Sequence, residues 1–229
     1  MPEVRRQDRG YHYEDANQTC AHRYLMPAAL KILNEERERR GGGPLRIFDL
    51  GCGNGSVAND LAQRGYTVKG VDASEEGIEQ AKRAFPALDL QIGSAYDDLA
   101  ARFGTFPVVL SLEVVEHLYS PKKFAACVHS LLEPGGLAII STPYNGYLKN
   151  LVIALLGGFD RHATVLWDHG HIKFWSIPTL TTLLESTGLT DINFCRVGRI
   201  PPLAKSMIAV ARKSLAPGPP SSARRPVAT

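Results

Sequence analysis

The stretch FDLGCGNGS, residues 48–56, decides how this chain begins to fold. An apolar segment, LRIFDL at residues 45–50, leads into three closely spaced glycines, Gly51, Gly53 and Gly55, and a helical pattern follows. Glycine has no Cβ, so it permits positive φ angles and a close approach of the backbone to another group. The stretch therefore predicts a strand, a glycine loop and a helix whose N-terminus faces a ligand.

The spacing of these glycines separates several kinds of binding loop. A nicotinamide-binding loop has the pattern G-x-G-x-x-G, whereas here the third glycine comes one position earlier. A phosphate-binding loop of the Walker type needs a lysine followed by serine or threonine, which this stretch lacks. A glycine loop can also be no more than a tight connection between a strand and a helix, so it does not establish a function alone.

Asp72 ends the next apolar segment, YTVKGVD at residues 66–72, about 20 residues after the glycine loop. An acidic residue in that position can accept hydrogen bonds from both ribose hydroxyls of an adenosine cofactor. It could instead cap the following helix, because Ser74 and two glutamates come next. Together with the glycine loop, Asp72 indicates a cofactor that contains adenosine.

The rest of the chain repeats the order of strand and helix. Strand patterns alternate with helical patterns up to about residue 143, which predicts an α/β protein with a parallel sheet wound on both faces. Two further strand patterns, at residues 190–198 and 203–211, close the fold. The predicted divisions are an N-terminal helical cap at 1–43, a main domain at 44–211 with a lid insert at about 144–175, and a disordered tail at 212–229.

Composition narrows the class of protein. The 229 residues are 44% apolar and 21% charged, as in ordinary globular domains. Four of the 26 basic residues and none of the 23 acidic residues lie beyond residue 211, so the main domain is close to neutral and nucleic-acid binding is not expected. The four cysteines form no C-x-x-C pair, which favours reduced thiols. Neither a signal sequence nor a membrane-spanning segment is evident, so we expect a cytoplasmic protein and leave its oligomeric state open.

Four stretches, in this order, resemble the successive motifs of class I S-adenosylmethionine-dependent methyltransferases. They are FDLGCGNGSVANDLAQRGYTVKGVDASEEGIEQAK at residues 48–82, IGSAYDDL at 92–99, VVLSLEVVEHLYSP at 108–121 and LLEPGGLAIISTPY at 131–144. Within that class, the likeness is greatest to the O-methyltransferases of ubiquinone biosynthesis. The resemblance implies a Rossmann-like sheet of seven strands, mostly parallel with an antiparallel last strand. It also implies S-adenosylmethionine as the methyl donor, bound over the carboxyl ends of the first four strands.

The resemblance assigns the cofactor contacts residue by residue. Many family members have an acid after the third strand, where this chain has Ser94, so the adenine would meet Ser94, the Ala95 amide or Tyr96. Arg23 could pair with the methionine carboxylate of the cofactor, although a solvated arginine fits the sequence equally well. The full predicted set is Asp49, Gly51, Cys52, Gly53, Asn54, Gly55, Asp72, Ala73, Ser94, Ala95, Tyr96, Leu112, Glu113 and Arg23.

The segment SLEVVEHLYSP, residues 111–121, carries Glu113, Glu116 and His117 directly after the fourth strand. If residues 113–118 form a helical turn, these side chains lie on one face. The carboxylates could simply favour a helix N-terminus. Two carboxylates and an imidazole also suit a divalent metal such as Mg²⁺. The E-x-x-E-H pattern resembles the metal cluster of ubiquinone O-methyltransferases and of small-RNA 2′-O-methyltransferases.

In those families a further metal ligand comes from later in the chain. The family pattern of a histidine before Lys-Phe matches His171 best, with His169 as a second contact. The resulting hypothesis is a metal site formed by Glu113, Glu116, His117 and His171. The alternative is catalysis without a metal, in which His117 is the general base and Glu116 lies beside it.

We predict methyl transfer to an oxygen of a small phenolic or quinone-like acceptor. The insert YNGYLKNLVIALLGGFDRH, residues 144–162, is predicted to form a lid over the acceptor pocket. Burial of its apolar face against the core is the favoured arrangement, and an exposed face that meets a membrane surface is the alternative. Other hypotheses are 2′-O-methylation of an RNA 3′ end, cofactor binding without catalysis, and a nicotinamide dehydrogenase, which the loop spacing disfavours.

Overall fold

The computed structural model describes residues 15–159 and 170–215. Within them lie seven strands: β1 Arg46–Leu50, β2 Thr67–Asp72, β3 Asp89–Ile92, β4 Phe106–Ser111, β5 Leu132–Pro143, β6 Leu189–Val197 and β7 Ser206–Lys213. They pair into one sheet in the order β3-β2-β1-β4-β5-β7-β6.

β7 is the strand that runs against its neighbours. β1 to β5 pair in parallel, whereas β7 pairs antiparallel with both β5 and β6. Parallel neighbours need a crossover between them, and the helices provide it. The α/β class, the doubly wound sheet of seven strands and the antiparallel last strand are therefore confirmed.

The helices cover both faces of this sheet. Their bounds are α1 His22–Arg39, α2 Ser56–Gln63, α3 Glu75–Ala84, α4 Leu99–Phe103, α5 Pro121–Leu131, α6 Tyr147–Leu155 and α7 Ile177–Glu185. One apolar core joins α1, α2 and α3 to the sheet through Leu33, Leu61 and Ile78. A second core joins α4, α5 and α7 to the other face through Leu99, Phe124 and Leu184. The short helix α4 was not predicted, because five residues show no useful periodicity.

The ends of the domain differ from the predicted divisions. Leu25, Met26 and Leu33 of α1 are buried in the first core, so this helix is a layer of the domain rather than a separate cap. β7 continues to Lys213, two residues into the segment predicted as a tail. The rest of that segment, from residue 216, lies outside the described residues.

α6 belongs to the predicted lid, and its apolar face is exposed. None of its residues is buried, and Tyr147 is 96% exposed and Leu155 76% exposed. Its main contact is with the short 3₁₀ turn Pro201–Leu203, not with the sheet. The favoured expectation of a buried face is therefore wrong, because α6 packs on this turn and not on the apolar core. Among the described residues, no helix combines the length and apolar character that a membrane crossing requires.

A buried ion cluster fixes α1 to the sheet. Glu36 is 2% exposed, and its carboxylate accepts hydrogen bonds from Arg39, Arg40 and Arg212 at 2.6 to 2.8 Å. Burial alone would raise the pKa of Glu36, but these hydrogen bonds outweigh it and hold the pKa at about 2. Because Arg212 belongs to β7, the cluster joins the first helix to the last strand.

We expect Glu36→Gln to lower the free energy of unfolding by roughly 2 kcal/mol at pH 7, because it replaces the buried carboxylate that accepts charged hydrogen bonds from three partly exposed guanidinium groups. The native pKa is depressed, so this stabilisation is present above about pH 4.5 and is lost as the pH falls towards 2. Urea unfolding at pH 7 measures the loss of stability, and the same measurement at pH 3 shows how much of it remains at low pH. Glu35→Gln, at an exposed position on the same helix, is the control and should change stability by less than about 0.5 kcal/mol. An equal loss in the two variants would contradict the assignment.

Candidate functional site

The loops at the carboxyl ends of β1 to β4 surround a large cavity. Its volume is about 1700 Å³, and its wall continues onto α6 and onto the segment that precedes β7. Open α/β sheets bind ligands at this edge, where the strand order reverses on either side of β1. The cavity contains two groups of functional residues, which are described in turn.

The glycine loop forms the first group together with Asp72. The amides of Gly51 and Cys52 donate to the Val71 carbonyl at 2.8 and 3.0 Å, which holds the loop against β2. Gly51 has φ +90°, and a Cβ there would collide with the Val114 side chain. The Asp72 carboxylate accepts from the amide of Gly53 at 2.8 Å. The loop and the acid are thus one hydrogen-bonded unit facing the cavity.

The alternative role of Asp72 as a helix cap is not what the structure has. Ser74 is the N-cap of α3, and its hydroxyl accepts from the Gly77 amide at 3.1 Å. One Asp72 oxygen accepts from the Ser74 amide and the other from Gly53, both at 2.8 Å. Burial raises the pKa of Asp72 above its ordinary value, and the backbone amides oppose that shift.

Two further residues of the predicted set lie deep in the cavity wall. Asp49 is 2% exposed, and burial followed by the nearby charge of Asp72 raises its pKa to about 7. Its Oδ2 atom has no hydrogen-bond partner in the described part of the chain. Cys52 is buried, and its pKa is raised well above the ordinary value of a thiol. Because burial disfavours a negative charge, Asp49 and Cys52 are most stable when neutral or when a cation lies beside them.

Most of the residues predicted to contact the cofactor lie at the same cavity. Ala73, Ser94, Ala95, Tyr96 and Leu112 line the cavity as expected, together with Gly51, Cys52, Gly53 and Asn54.

Three positions have particular surroundings. Asn54 donates to the carbonyls of Asp15 and Asn17 at 2.7 and 3.0 Å, so it also fastens the N-terminal segment to the loop. Gly55 faces Leu90 and Ala81, so its lack of a side chain serves packing rather than the cavity. Arg23 is exposed in a separate surface cleft, so this geometry does not support its predicted contact with the cofactor.

Glu113 begins the second group and bends the chain. Its φ is +55°, which is uncommon for a residue with a side chain. Its carboxylate accepts hydrogen bonds from the hydroxyls of Ser141 at 2.8 Å and Ser206 at 3.2 Å. Burial raises its pKa to about 7 despite these bonds. The turn that follows is a 3₁₀ turn over Val115–His117.

The expectation that Glu113, Glu116 and His117 share one helical face is therefore wrong. The left-handed conformation of Glu113 directs its carboxylate to hydroxyls on β5 and β7 instead. The group of residues whose ligand atoms lie within 4.8 Å of one another consists of Glu116, His117 and His171, without Glu113.

Glu116 has the most unfavourable surroundings of this group. It is fully buried, and neither carboxylate oxygen has a hydrogen-bond partner among the described residues. Burial, and after it the charge of Glu113, raises the pKa of Glu116 well above its ordinary value. The Glu116 amide and the Thr142 hydroxyl oppose this shift only in part. A charged carboxylate is costly to bury without a counter-charge, so this side chain is either protonated or paired with a cation.

His117 presents one ring nitrogen to Glu116. Its Nδ1 lies 3.3 Å from the carbonyl of Gly170, and because a carbonyl only accepts, Nδ1 carries the proton of that contact. In the neutral ring Nε2 is then the basic nitrogen, and it lies 4.0 Å from Glu116 Oε1. The His171 ring lies edge-on to His117, with 5.0 Å between the ring centroids.

Backbone hydrogen bonds bring His171 to this place. The amides of Ile172 and Lys173 both donate to the Glu116 carbonyl at 2.9 Å. The indole of Trp175 donates to the Val115 carbonyl at 3.3 Å. Residues distant in sequence are thereby fixed beside the turn after β4. His169, the other predicted contact, lies outside the described residues.

Three residues around Glu113 were not found from the sequence. They are Lys149, Ser141 and Ser206, and the hydroxyl of Ser206 lies 3.2 Å from that of Tyr24. Ser141 and Ser206 are close because β5 and β7 are neighbours, and no local sequence pattern reports that pairing.

The comparisons with known proteins agree with this geometry. A family model described as a methyltransferase domain matches residues 18–193, so the chain belongs to that family. The ubiquinone biosynthesis O-methyltransferase of Caulobacter sp. (strain K31) is 42% identical over 144 residues, which are 57% of this chain and 57% of the relative. The enzyme of the same name from Roseobacter denitrificans is 36% identical over 156 residues, 65% of this chain and 61% of the relative. The chain thus spans about three fifths of the length of these relatives.

Solved structures share the fold. A magnesium protoporphyrin IX methyltransferase from Synechocystis, solved with bound SAH, superimposes with a TM-score of 0.61 at 20% identity, covering 83% of this chain and 84% of its own. An S-adenosylmethionine-dependent methyltransferase from Mesorhizobium loti gives 0.60 at 21% identity, covering 82% and 96%. The resemblance inferred from the sequence motifs is confirmed.

We expect Glu116→Gln to stabilise the metal-free protein. Because burial raises the native pKa, the native state holds a proton that the unfolded state loses above about pH 4.5, so wild-type stability falls as the pH rises beyond that value. A neutral amide of the same shape avoids this, and we expect a gain of about 1–3 kcal/mol at pH 8 that shrinks towards pH 4.5. Chemical unfolding in the presence of EDTA measures it, and Glu79→Gln on the exposed face of α3 is the control. A loss of stability at pH 8 would contradict the proposed surroundings of Glu116.

Proposed function

We propose that this chain is an S-adenosylmethionine-dependent methyltransferase that transfers a methyl group to an oxygen of a small hydroxylated aromatic acceptor. The observation that carries the proposal is that one cavity is lined by the glycine loop with Asp72 and by His117 and His171, whose ligand atoms lie within 4.8 Å of the buried Glu116 carboxylate. The first can hold an adenosyl cofactor, and the second can activate a hydroxyl beside it.

The cofactor half of the proposal rests on positions and hydrogen-bond capacity. The ribose hydroxyls would donate to Asp72, which is held at the carboxyl end of β2 by the Gly53 and Ser74 amides. The adenine would lie between the loops after β2 and β3, near Ala73, Ser94 and Ala95. The absent side chain of Gly51 leaves room for the loop beside Val114.

The chemistry needs alignment and one proton transfer. S-adenosylmethionine supplies an electrophilic methyl group, so the chain has to hold the acceptor oxygen in line with it and exclude water. A phenol has a pKa of about 10, so its ionisation benefits from help. Nε2 of His117 is the basic nitrogen that faces the cavity group, because Nδ1 is committed to the Gly170 carbonyl.

A divalent metal is the second part of the proposal. Glu116, His117 and His171 would hold it, since their ligand atoms lie within 4.8 Å of one another. The fit is chemical as well: a buried carboxylate without a partner gains a counter-charge, and an imidazole whose other nitrogen donates to a carbonyl is a typical ligand. When bound, such an ion lowers the pKa of a coordinated hydroxyl. Glu113 is left out of this set, because Ser141 and Ser206 occupy its oxygens.

Catalysis by His117 without a metal is the competing arrangement. In it, Nε2 removes the proton of the acceptor hydroxyl, and Glu116 beside it stabilises the imidazolium that forms. Nε2 of His117 cannot bind a metal and accept a proton at the same time. Metal titration therefore distinguishes the metal-assisted arrangement from the metal-free one.

The nature of the acceptor is supported by the relatives and by α6. The relatives' name refers to O-methylation in ubiquinone biosynthesis. Val152 and Ile153 of α6 belong to the cavity wall, and the same helix carries exposed apolar residues such as Leu151 and Leu155. An acceptor with an apolar part, reached in peripheral contact with a membrane surface, fits this arrangement. RNA methylation has no such support, because the main domain is close to neutral.

We expect the protein to bind S-adenosylmethionine and adenosylhomocysteine, and not NAD. Asp72→Asn should weaken the binding of adenosylhomocysteine roughly tenfold or more, because the substitution removes charged hydrogen bonds to the ribose. Calorimetric titration measures all three ligands, with Asp89→Asn, in an exposed pair with Lys69, as the control variant. Binding of NAD without S-adenosylmethionine would overturn the class of enzyme proposed. Binding of adenosylmethionine without transfer to any catechol would favour a non-catalytic role.

We expect the chain, once stripped with EDTA, to bind one divalent ion when titrated with Mg²⁺, Mn²⁺ or Zn²⁺. Glu116→Gln and His171→Ala should each weaken that binding by roughly a hundredfold. Glu113→Gln is the matched control and should retain it, because its side chain is not among the ligands. Calorimetry or fluorescence detects binding without an acceptor. Absence of binding, or equal binding by all variants, would rule out the metal and leave His117 as the base.

A further inference from the structure

Glu113 lines the cavity, yet neither the ribose site nor the proposed metal ligands make use of its carboxylate. It lies on the short connection that leads from the end of β4 to His117. The next residue, Val114, packs so closely on Gly51 that a Cβ at that glycine would collide with it. Glu113 therefore stands where the turn after β4 meets the glycine loop.

Hydroxyl groups from three elements fix this carboxylate. The Ser141 hydroxyl accepts from the Glu113 amide at 2.9 Å and donates to its Oε1 at 2.8 Å, which holds the residue at its φ of +55°. The buried Ser206 hydroxyl donates to Oε2 at 3.2 Å. Because the single proton of Ser206 is committed to the carboxylate, the Tyr24 hydroxyl, 3.2 Å away, donates to Ser206 in turn. One carboxylate is thus oriented from β5, β7 and α1.

These hydroxyls supply hydrogen bonds but no counter-charge. Burial raises the pKa of Glu113 to about 7, and the two serines and the charge of Lys149 oppose that shift only in part. The Lys149 ammonium group donates to the Tyr144 carbonyl at 2.6 Å. No ion pair joins Glu113 to a basic side chain in residues 15–159 or 170–215. A buried, oriented carboxylate of this kind is stabilised by a cation that enters the cavity.

The proposed reaction brings one cation to this junction. The methyl group of S-adenosylmethionine is carried on a positively charged sulfur, and it has to pass from the side of Asp72 to the side of His117. Glu113 belongs to the connection between those two sides. Asp49 is the other candidate carboxylate, but the charge of Asp72 raises its pKa, which places it at the ribose end of the cavity.

We propose that Glu113 is the counter-ion of the sulfonium group, and that Ser206 and Tyr24 are positioning residues that orient its carboxylate. This inference rests on the proposed function and deepens it, because it makes the site selective for the charged methyl donor over the neutral product. Transfer moves the methyl carbon from sulfur to the acceptor oxygen, the electron pair of the broken bond neutralises the sulfur, and the acceptor proton leaves to a base. The attraction to Glu113 therefore ends with the reaction, which favours release of adenosylhomocysteine.

The test compares two unreactive ligands by calorimetry on the full chain at pH 8 in EDTA. Sinefungin carries an ammonium group where S-adenosylmethionine carries its charged sulfur, whereas adenosylhomocysteine is neutral there. In Glu113→Gln the ratio of the adenosylhomocysteine Kd to the sinefungin Kd should fall about tenfold, the contribution of one charge-assisted contact. The Kd of adenosylhomocysteine itself should change less than about twofold.

Two further variants test the positioning residues. Ser206→Ala should lower the same ratio about threefold, and Tyr24→Phe should lower it by less, because each removes one hydroxyl from the chain that orients Glu113. A merely structural role would affect both ligands alike and leave the ratio unchanged. Asp49→Asn, which also replaces a buried carboxylate of this cavity by its amide, is the matched control and should keep the ratio within about twofold.

Each outcome has a distinct meaning. An unchanged ratio in Glu113→Gln overturns the inference, and so does an equal loss of both ligands, since Glu113 would then contact the amino group that they share. An unchanged ratio in Ser206→Ala overturns the positioning role, and a tenfold fall in Asp49→Asn alone assigns the counter-ion to Asp49 instead. Failure of the wild type to bind either ligand is a failure of the proposed function. Thermal unfolding of each variant confirms that it is folded.

Discussion

The pairing of β1 with β2 on one side and β4 on the other determines where the rest of the site can lie. The chain leaves β1 through the glycine loop, crosses to β2, and returns to the far side of β1 only with β4. The loops that leave these strands therefore diverge and open a cavity at their carboxyl ends. Asp72 and His117 reach that cavity from different strands because of this single reversal of strand order.

The electrostatics of the cavity favour cationic ligands near the sheet. Burial raises the pKa values of Asp49, Asp72, Glu113 and Glu116 together, and two of these carboxylates lack a full set of hydrogen-bond partners among the described residues. Burying several carboxylates close together costs free energy when no cation accompanies them. A sulfonium ion and a divalent metal would each offset part of that cost.

Sequence reasoning identified what is encoded locally. The glycine loop, Asp72 and the order of strands are visible because glycine spacing and hydrophobic period are properties of short segments. The mutual arrangement of Glu113 and Glu116 was not visible, since a left-handed φ at a glutamate has no sequence marker. The roles of Ser206 and Lys149 depend on contacts between distant segments. The contact of Arg23 with the cofactor was predicted from its place on the N-terminal helix, and that helix presents the side chain to a different cleft.

The antiparallel direction of β7 has a consequence for the order in which the protein is made. Because this strand runs backwards, its first residue, Ser206, reaches the cavity and binds Glu113. A nascent chain that has emerged only through β5 already carries the glycine loop and Asp72, but it lacks the hydroxyl that holds Glu113. The ligand pocket is therefore completed late in synthesis, by contacts of long sequence separation that form slowly.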